Sequence, residues 1–227
     1  ITLSLIVFKS PEREMILSVN QYQIDVLIKK DSNHCYIIPK YQREYTWGQK
    51  QWQELYDDIE ENNEGYFIGS IICINNSKDA VQVSPLEVVD GQQRLTTLCL
   101  LLTAIYNKLN EHRSELNEDD IDELITLRKS LICKGAPNDL ILCPQVQNSN
   151  LADFKTVMAD NGFIETRREK NWGNRKIAKC YNYFLKRLEE DIQESSNAIQ
   201  TILEIKRKVS KAILVKIEVA SHAEAYT

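Results

Sequence analysis

Eight consecutive residues, Asp90-Gly91-Gln92-Gln93-Arg94-Leu95-Thr96-Thr97, gather a carboxylate, two carboxamides, a guanidinium and two hydroxyls around a glycine. The apolar run Leu86 to Val89 precedes them, and Leu95, Leu98, Leu102, Ile105 and Leu109 follow at helical spacing. That order predicts a strand, a tight turn at Asp90-Gly91 and a helix. Polar side chains then stand at a helix N-terminus, where free backbone N–H groups and the positive end of the helix dipole favour an anion. Gly91 lets a ligand approach the backbone, and Arg94, one turn in, carries a fork of donors suited to phosphate oxygens. Spacing alone equally accommodates a plain junction, with Asp90 as a helix cap, Gly91 chosen for its turn and the remaining polar groups solvated.

A second cluster lies upstream, in Ile38-Pro39-Lys40-Tyr41-Gln42-Arg43-Glu44-Tyr45-Thr46-Trp47. Pro39 closes the strand Cys35 to Ile38, because it cannot donate to a ladder. Tyr41, Gln42 and Arg43 therefore fall on a loop at a strand's end, where polar groups can converge on a ligand. One reading makes this an aromatic loop pinned to the core by Tyr45 and Trp47, with Arg43 paired to an acid. The other makes Arg43 a phosphate ligand beside Arg94, with Tyr41 or Tyr45 stacked on a base.

The run from Asp90 to Thr97 resembles the signature of the ParB/sulfiredoxin-like domain in the N-terminal part of GmrSD-type, modification-dependent restriction endonucleases. The upstream cluster meets every fixed position of that family's Ile-Pro-x-Tyr-Gln-Arg-x-Tyr-x-Trp pattern, and the strand Phe67-Ile68-Gly69-Ser70-Ile71 lies between the two, as in the family. Where many relatives carry proline, this chain has Glu44, an acid that partly offsets Arg43. The resemblance implies a module that binds and hydrolyses a nucleoside triphosphate in a restriction or phage-defence system acting on modified DNA. Asp90, Gln93 and Arg94 would be catalytic: Asp90 holding a water or a Mg²⁺-bound water, Gln93 orienting the attacking water, Arg94 stabilising charge on the transferred phosphoryl group. Tyr41, Gln42, Arg43, Gly91, Gln92, Arg94, Thr96 and Thr97 would bind nucleotide, supported by Tyr45 and Trp47. Mg²⁺ is the expected cofactor, and a nuclease domain or subunit downstream the expected partner. Two further readings stay open: a nucleotide or DNA sensor without turnover, and a ParB-like nuclease.

The elements that must carry these groups follow from pattern. Val19, Tyr22, Val26 and Leu27 predict a short helix within Leu17 to Lys30. Trp52, Leu55 and Ile59 mark a helix over Gln49 to Glu61, stopped by Asn62-Asn63-Glu64-Gly65. Tyr66 to Ile74 and Val81 to Val89 read as a hairpin turning at 75–79. Asn117 followed by Glu118-Asp119-Asp120 is a helix start with Ile121, Leu124, Ile125 and Leu131 buried, then a linker at Gly135 to Asp139 and an extended Leu140 to Cys143. Helices are expected over Ser149 to Ala159, Trp172 to Glu194 and Ala198 to Ser210. Ile213, Val215, Ile217 and Val219 should form the buried face of a last strand.

The expected fold is α+β: a small mixed sheet of ParB/sulfiredoxin-like type from the strands near Cys35, Tyr66 and Val81, then a mostly helical region. Residues 1–14 read as a leader or extension ahead of Met15, 15–110 as the nucleotide-binding domain and 111–227 as the helical region. The chain stops after Glu224-Ala225-Tyr226, where the family continues, so a C-terminal truncation is expected.

Of the 227 residues, 43% are hydrophobic and 27% charged, which suits a soluble globular chain. A net charge of −5 excludes a uniformly basic nucleic-acid coat but leaves room for a local basic face. The stretch Glu165 to Arg187, with eight basic residues against two acids, is either a solvated helix face or a DNA-backbone contact. Six scattered cysteines without a C-x-x-C pair fit buried reduced thiols in a cytoplasmic protein. The apolar opening Ile1 to Phe8 is too short to span a membrane. His34, His112 and His222 have no partner at metal spacing, and neither a Walker A loop nor a Ser-His-Asp arrangement is present.

Overall fold

Strand-forming residues from both ends of the chain meet in one mixed sheet. The structure, a computed structural model, describes residues 16–29, 33–75, 83–144, 149–166 and 175–220. In chain order the elements are β1 (Ile16–Gln23), α1 (Ile24–Leu27), β2 (His34–Ile37), α2 (Gln49–Glu61), β3 (Phe67–Asn75), β4 (Ser84–Asp90), α3 (Gln92–Glu111), α4 (Glu118–Ser130), β5 (Leu142–Cys143), α5 (Asn150–Asp160), α6 (Lys176–Gln193), α7 (Ala198–Lys211) and β6 (Ile213–Val219). The sheet order is β1-β6-β3-β4-β2-β5. β3 and β4 are antiparallel, as a hairpin requires, whereas β6 joins β3 in parallel and β1 closes on β6 antiparallel.

The α+β architecture matches expectation, and so do α2 and β6 in their bounds and α4 in its start. Asn117 caps α4 as its position implies: its Oδ1 accepts the Asp120 N–H at 2.9 Å, and three acids occupy the first turn. Two expectations need correction. Leu17 to Gln23 is strand rather than helix, because Ile16 to Gln23 finds a ladder on β6 from Ile16↔Val219 to Gln23↔Ile213. Pairing overrides a weak helical spacing, and only the four residues of α1 remain helical. In β6, Leu214 and Lys216 are buried on one face, while on the other Ile213, Val215 and Ile217 are half-buried and Val219 is buried with Ile74 and Val89, so the strand is covered on both faces and not on one. Lys216 tolerates that position because its ammonium pairs with Glu218 at 2.7 Å and lies 5.0 Å from the Tyr22 ring centre.

α3 is the axis of the core. Leu95, Leu98, Cys99, Leu100, Leu101, Ala104, Ile105 and Leu109 are all inaccessible to solvent, so the helix is buried around its circumference and not along one stripe. Each such leucine contributes ~1.5–3 kcal/mol through burial. The helix packs against α4, α6 and α7. One hydrophobic core includes Ile71 and Val88 of the sheet together with Phe154, Phe184 and Ile202 of the later helices. That core is shared by elements on both sides of residue 110. All six cysteines are free, and all but Cys143 are buried. Among the described residues no helix is long and apolar enough to cross a membrane. The leader over 1–14, the turn at 76–79, residues 167–174 of the basic stretch and the Glu224-Ala225-Tyr226 ending lie outside the described residues.

Candidate functional site

β4 runs to Asp90, and the chain enters the central helix through a single residue, Gly91, at φ 78° and ψ 8°. Left-handed backbone is one reason for glycine there. Space is the other: a Cβ at 91 would stand 2.6 Å from both the Ser70 carbonyl oxygen and Ile71 Cγ2 on the neighbouring strand. Gly91 is the N-cap, and among the described residues no side chain caps the helix. Among the described residues, no acceptor caps the first backbone N–H groups of α3, which stand at the positive end of a 20-residue helix.

Arg94 sits over this end in a notch cut into β3. Gly69, at φ 115°, lies where the pairing of β3 with β6 shifts register. A Cβ on Gly69 would meet the Arg94 guanidinium at 2.6 to 2.9 Å, so the glycine is what leaves room for that group. One guanidinium nitrogen donates to the Ser70 carbonyl at 3.3 Å, and the group stands 5.9 Å from the Trp47 ring centre. Burial lowers the pKa of Arg94, and the charge of Asp90 pulls it back up. A guanidinium remains charged under such a shift, so Arg94 is a partly desolvated, positioned cation with donors to spare.

The upstream loop lies directly against this helix end, joined to it by carboxamides. Gln42 donates to the Val89 carbonyl at 2.8 Å and accepts from Gln92 Nε2 at 2.9 Å. Gln93 Oε1 accepts the backbone N–H groups of Thr46 at 2.7 Å and Trp47 at 3.2 Å, and Gln93 Nε2 donates to the Glu44 carbonyl at 3.0 Å. Tyr45 drives the loop into the core. Its hydroxyl accepts from Trp52 Nε1 at 2.8 Å, lies 2.6 Å from Thr97 Oγ1 and reaches Cys180 Sγ at 3.3 Å. Burial pushes the Tyr45 phenol well above its usual pKa, so it stays neutral.

The structure thus brings the two motifs together, and it sorts their members. Arg43 and Tyr41 are exposed on the loop, Asp90 is exposed at the strand end, and Gly91, Gln92 and Arg94 form the junction between them. Tyr41 donates to Glu87 at 2.6 Å. It is the aromatic that a base could reach, since Tyr45 is only 5% exposed and Trp47 lies beneath Arg94. Thr96 and Thr97 are buried and return their hydroxyls to the carbonyls of Gln92 and Gln93, both at 2.8 Å, so they hold the helix and do not line a site. Gln93 is 5% exposed, and three bonds to the loop occupy its amide. It is a pin for the loop and is not placed to orient a water.

Sequence reasoning missed Lys176, which donates to the Thr46 carbonyl at 2.5 Å, and the role of Gly69. A lone glycine inside an apolar strand was the available signal for the second; nothing in the basic stretch singled out the first. For a divalent cation, Asp90 offers one exposed carboxylate, and no group of three or more His, Cys, Asp or Glu side chains among the described residues could hold a metal. That donor set fits an ion carried largely by phosphate oxygens, as Mg²⁺ commonly is, and not a protein-built cage. A cavity of about 210 Å³, lined by Ile24, Leu102, Leu127 and Ser210, contains none of these residues.

No curated protein matches the chain. The model of the family described as GmrSD restriction endonuclease, N-terminal domain, matches residues 24–227.

Proposed function

The chain belongs to the family of GmrSD restriction endonuclease N-terminal domains, and from that membership we propose that the junction of Asp90, Gly91 and Arg94 with the Tyr41–Trp47 loop binds and hydrolyses a nucleoside triphosphate. As a component of a restriction system it works with a nuclease domain or subunit. The observation that carries the reading is the uncapped start of α3 beneath a half-buried guanidinium that glycine makes room for. Backbone N–H groups and Arg94 would take phosphate oxygens, Arg43 would close from the loop, and exposed Tyr41 would meet the base. With the Gln93 amide engaged, water activation falls to Asp90. Mg²⁺ bound to the phosphates and Asp90 would neutralise charge on the triphosphate. The likeness to ParB-like domains belongs to this same proposal, as does a cytoplasmic location, which suits six free thiols.

A second reading, binding without turnover, draws support from Gln93, because its engaged amide removes the residue most suited to order an attacking water. Contact with DNA is proposed through the exposed stripe Lys176, Lys179 and Lys186 on α6, which starts at the site. Release of phosphate from NTP with Mg²⁺, compared among the wild type, Asp90→Ala and Arg94→Ala, separates these readings. Turnover lost in both variants supports hydrolysis. Binding of labelled nucleotide without phosphate release supports the sensor, and plasmid nicking lost in the same variants supports a nuclease.

A further inference from the structure

The Thr46 peptide is held from two sides. Its N–H is fixed by Gln93 of α3 at 2.7 Å and its carbonyl by the Lys176 ammonium of α6 at 2.5 Å. Between those anchors and the Gln42–Gln92 bond lies Arg43, the loop's exposed cation. α6 does not hang loosely there. Arg175, immediately before it, makes a two-pronged pair with Asp153 at 2.6 and 2.7 Å, and that carboxylate is almost wholly buried at the start of α5. One turn on, Cys180 meets the Tyr45 hydroxyl. The first turn of α6 is therefore fixed to the body of the molecule, and Lys176 transfers that fixity to the loop.

We propose that Lys176 is a positioning residue of the candidate site: it holds the 41–47 loop shut over the start of α3, so that Arg43 is presented to an anionic ligand without further ordering. The claim deepens the nucleotide reading and rests on it for the identity of the ligand, but the loop's state can be read with no ligand present. A charge-assisted bond to a carbonyl at an exposed site biases a loop less than the same bond in protected surroundings, so a modest fold-change is expected. Loss of the ammonium should open the loop by about three- to tenfold, and a ligand that needs the closed loop should bind more weakly by the same factor.

The test compares Lys176→Met and Lys176→Arg with the wild-type chain by amide hydrogen exchange over residues 42–47, first without ligand. Lys176→Met should exchange about three- to tenfold faster there, with unchanged denaturant stability, and Lys176→Arg should restore protection. Lys179→Gln, one turn along the same exposed face, should leave exchange in the loop unaltered. A titration with labelled non-hydrolysable NTP and Mg²⁺ should then show the Met variant weaker by the factor seen in exchange. Equal exchange in wild type and Lys176→Met overturns the proposal. Altered exchange in a chain that binds no nucleotide keeps Lys176 as the clamp of the loop and removes the nucleotide reading alone.

Discussion

Replacing Gly69 by alanine tests whether the notch in β3 is what positions Arg94. The new Cβ would lie 2.6 Å from Arg94 Cζ and 2.8 and 2.9 Å from its terminal nitrogens, far inside van der Waals contact. The guanidinium, as the end of a flexible chain, would swing away, losing the Ser70 bond and its place beside Trp47. The backbone cannot escape so easily, since φ 115° is foreign to alanine and strain there costs roughly 1–3 kcal/mol. Two measurable losses follow. Denaturant stability should fall by about 1–3 kcal/mol. Affinity for a triphosphate should fall by about ten- to a hundredfold, the size of a displaced charged hydrogen bond at ~1.5–3 kcal/mol. Urea titration gives the first and fluorescent-nucleotide titration the second. Arg94→Ala serves as the reference, because Gly69→Ala should approach its affinity loss without exceeding it. Unchanged affinity in Gly69→Ala, beside a large loss in Arg94→Ala, would refute the notch as the positioning device.

Other perturbations have equally definite outcomes. Gln93→Leu keeps the bulk but strands two N–H groups and a carbonyl of the loop; it should cost ~2–3 kcal/mol in stability and unprotect residues 44–47 in hydrogen exchange, and a fully protected loop would contradict the pinning role. Tyr45→Phe leaves the buried Trp52 N–H without its acceptor, so urea melts should show a loss of about 1–3 kcal/mol; an unaltered midpoint would show that the hydroxyl hub is dispensable. Glu218 supplies a pH signature. Burial opposes its charge, but hydrogen bonds from Lys216 and Asn75 and the Lys216 charge hold its carboxyl below the usual range. A depressed carboxylate adds stability above its unfolded value of 4.5, and that addition is lost as pH falls below it. Melting the wild type and Glu218→Gln between pH 7 and pH 3 should show the wild type losing more on acidification; parallel profiles would contradict the assignment.

Much of the fold was legible because local pattern and tertiary burial agree. The spacing of Trp52, Leu55 and Ile59, the Asn117 cap with its three acids, and the strand–Gly91–helix junction each carry a signal that needs no distant partner. The errors share an opposite cause. β1 is strand only because β6, almost 200 residues away, supplies its ladder, and no spacing within Leu17 to Lys30 contains that information. β6 is covered on both faces: Val219 is buried as its spacing implies, but Lys216 looks like a solvent residue until Glu218 and Tyr22 are placed beside it. At the candidate site, residue types drew attention to the junction of the two motifs, yet type did not divide exposed groups from scaffolding. Gln93, Thr96 and Thr97 are as polar as Asp90, but a helix rotation of about 100° per residue turns them into the loop and the core. Lys176 was hidden for a related reason: one lysine among eight basic residues gains a distinct role only when a carbonyl 130 positions away lies within reach.

The central claim is that two cations, Arg43 of the upstream loop and Arg94 of the first turn of α3, close on one phosphate-bearing guest at the start of that helix. Crystals grown with a non-hydrolysable nucleoside triphosphate and Mg²⁺ test it most directly. The account predicts triphosphate oxygens within hydrogen-bond distance of the Arg94 guanidinium and the first backbone N–H groups of α3, with Arg43 on the opposite side of the phosphates. A nucleotide seated elsewhere, for instance in the cavity lined by Ile24 and Leu102, with Arg94 still bonded to Ser70, would contradict it.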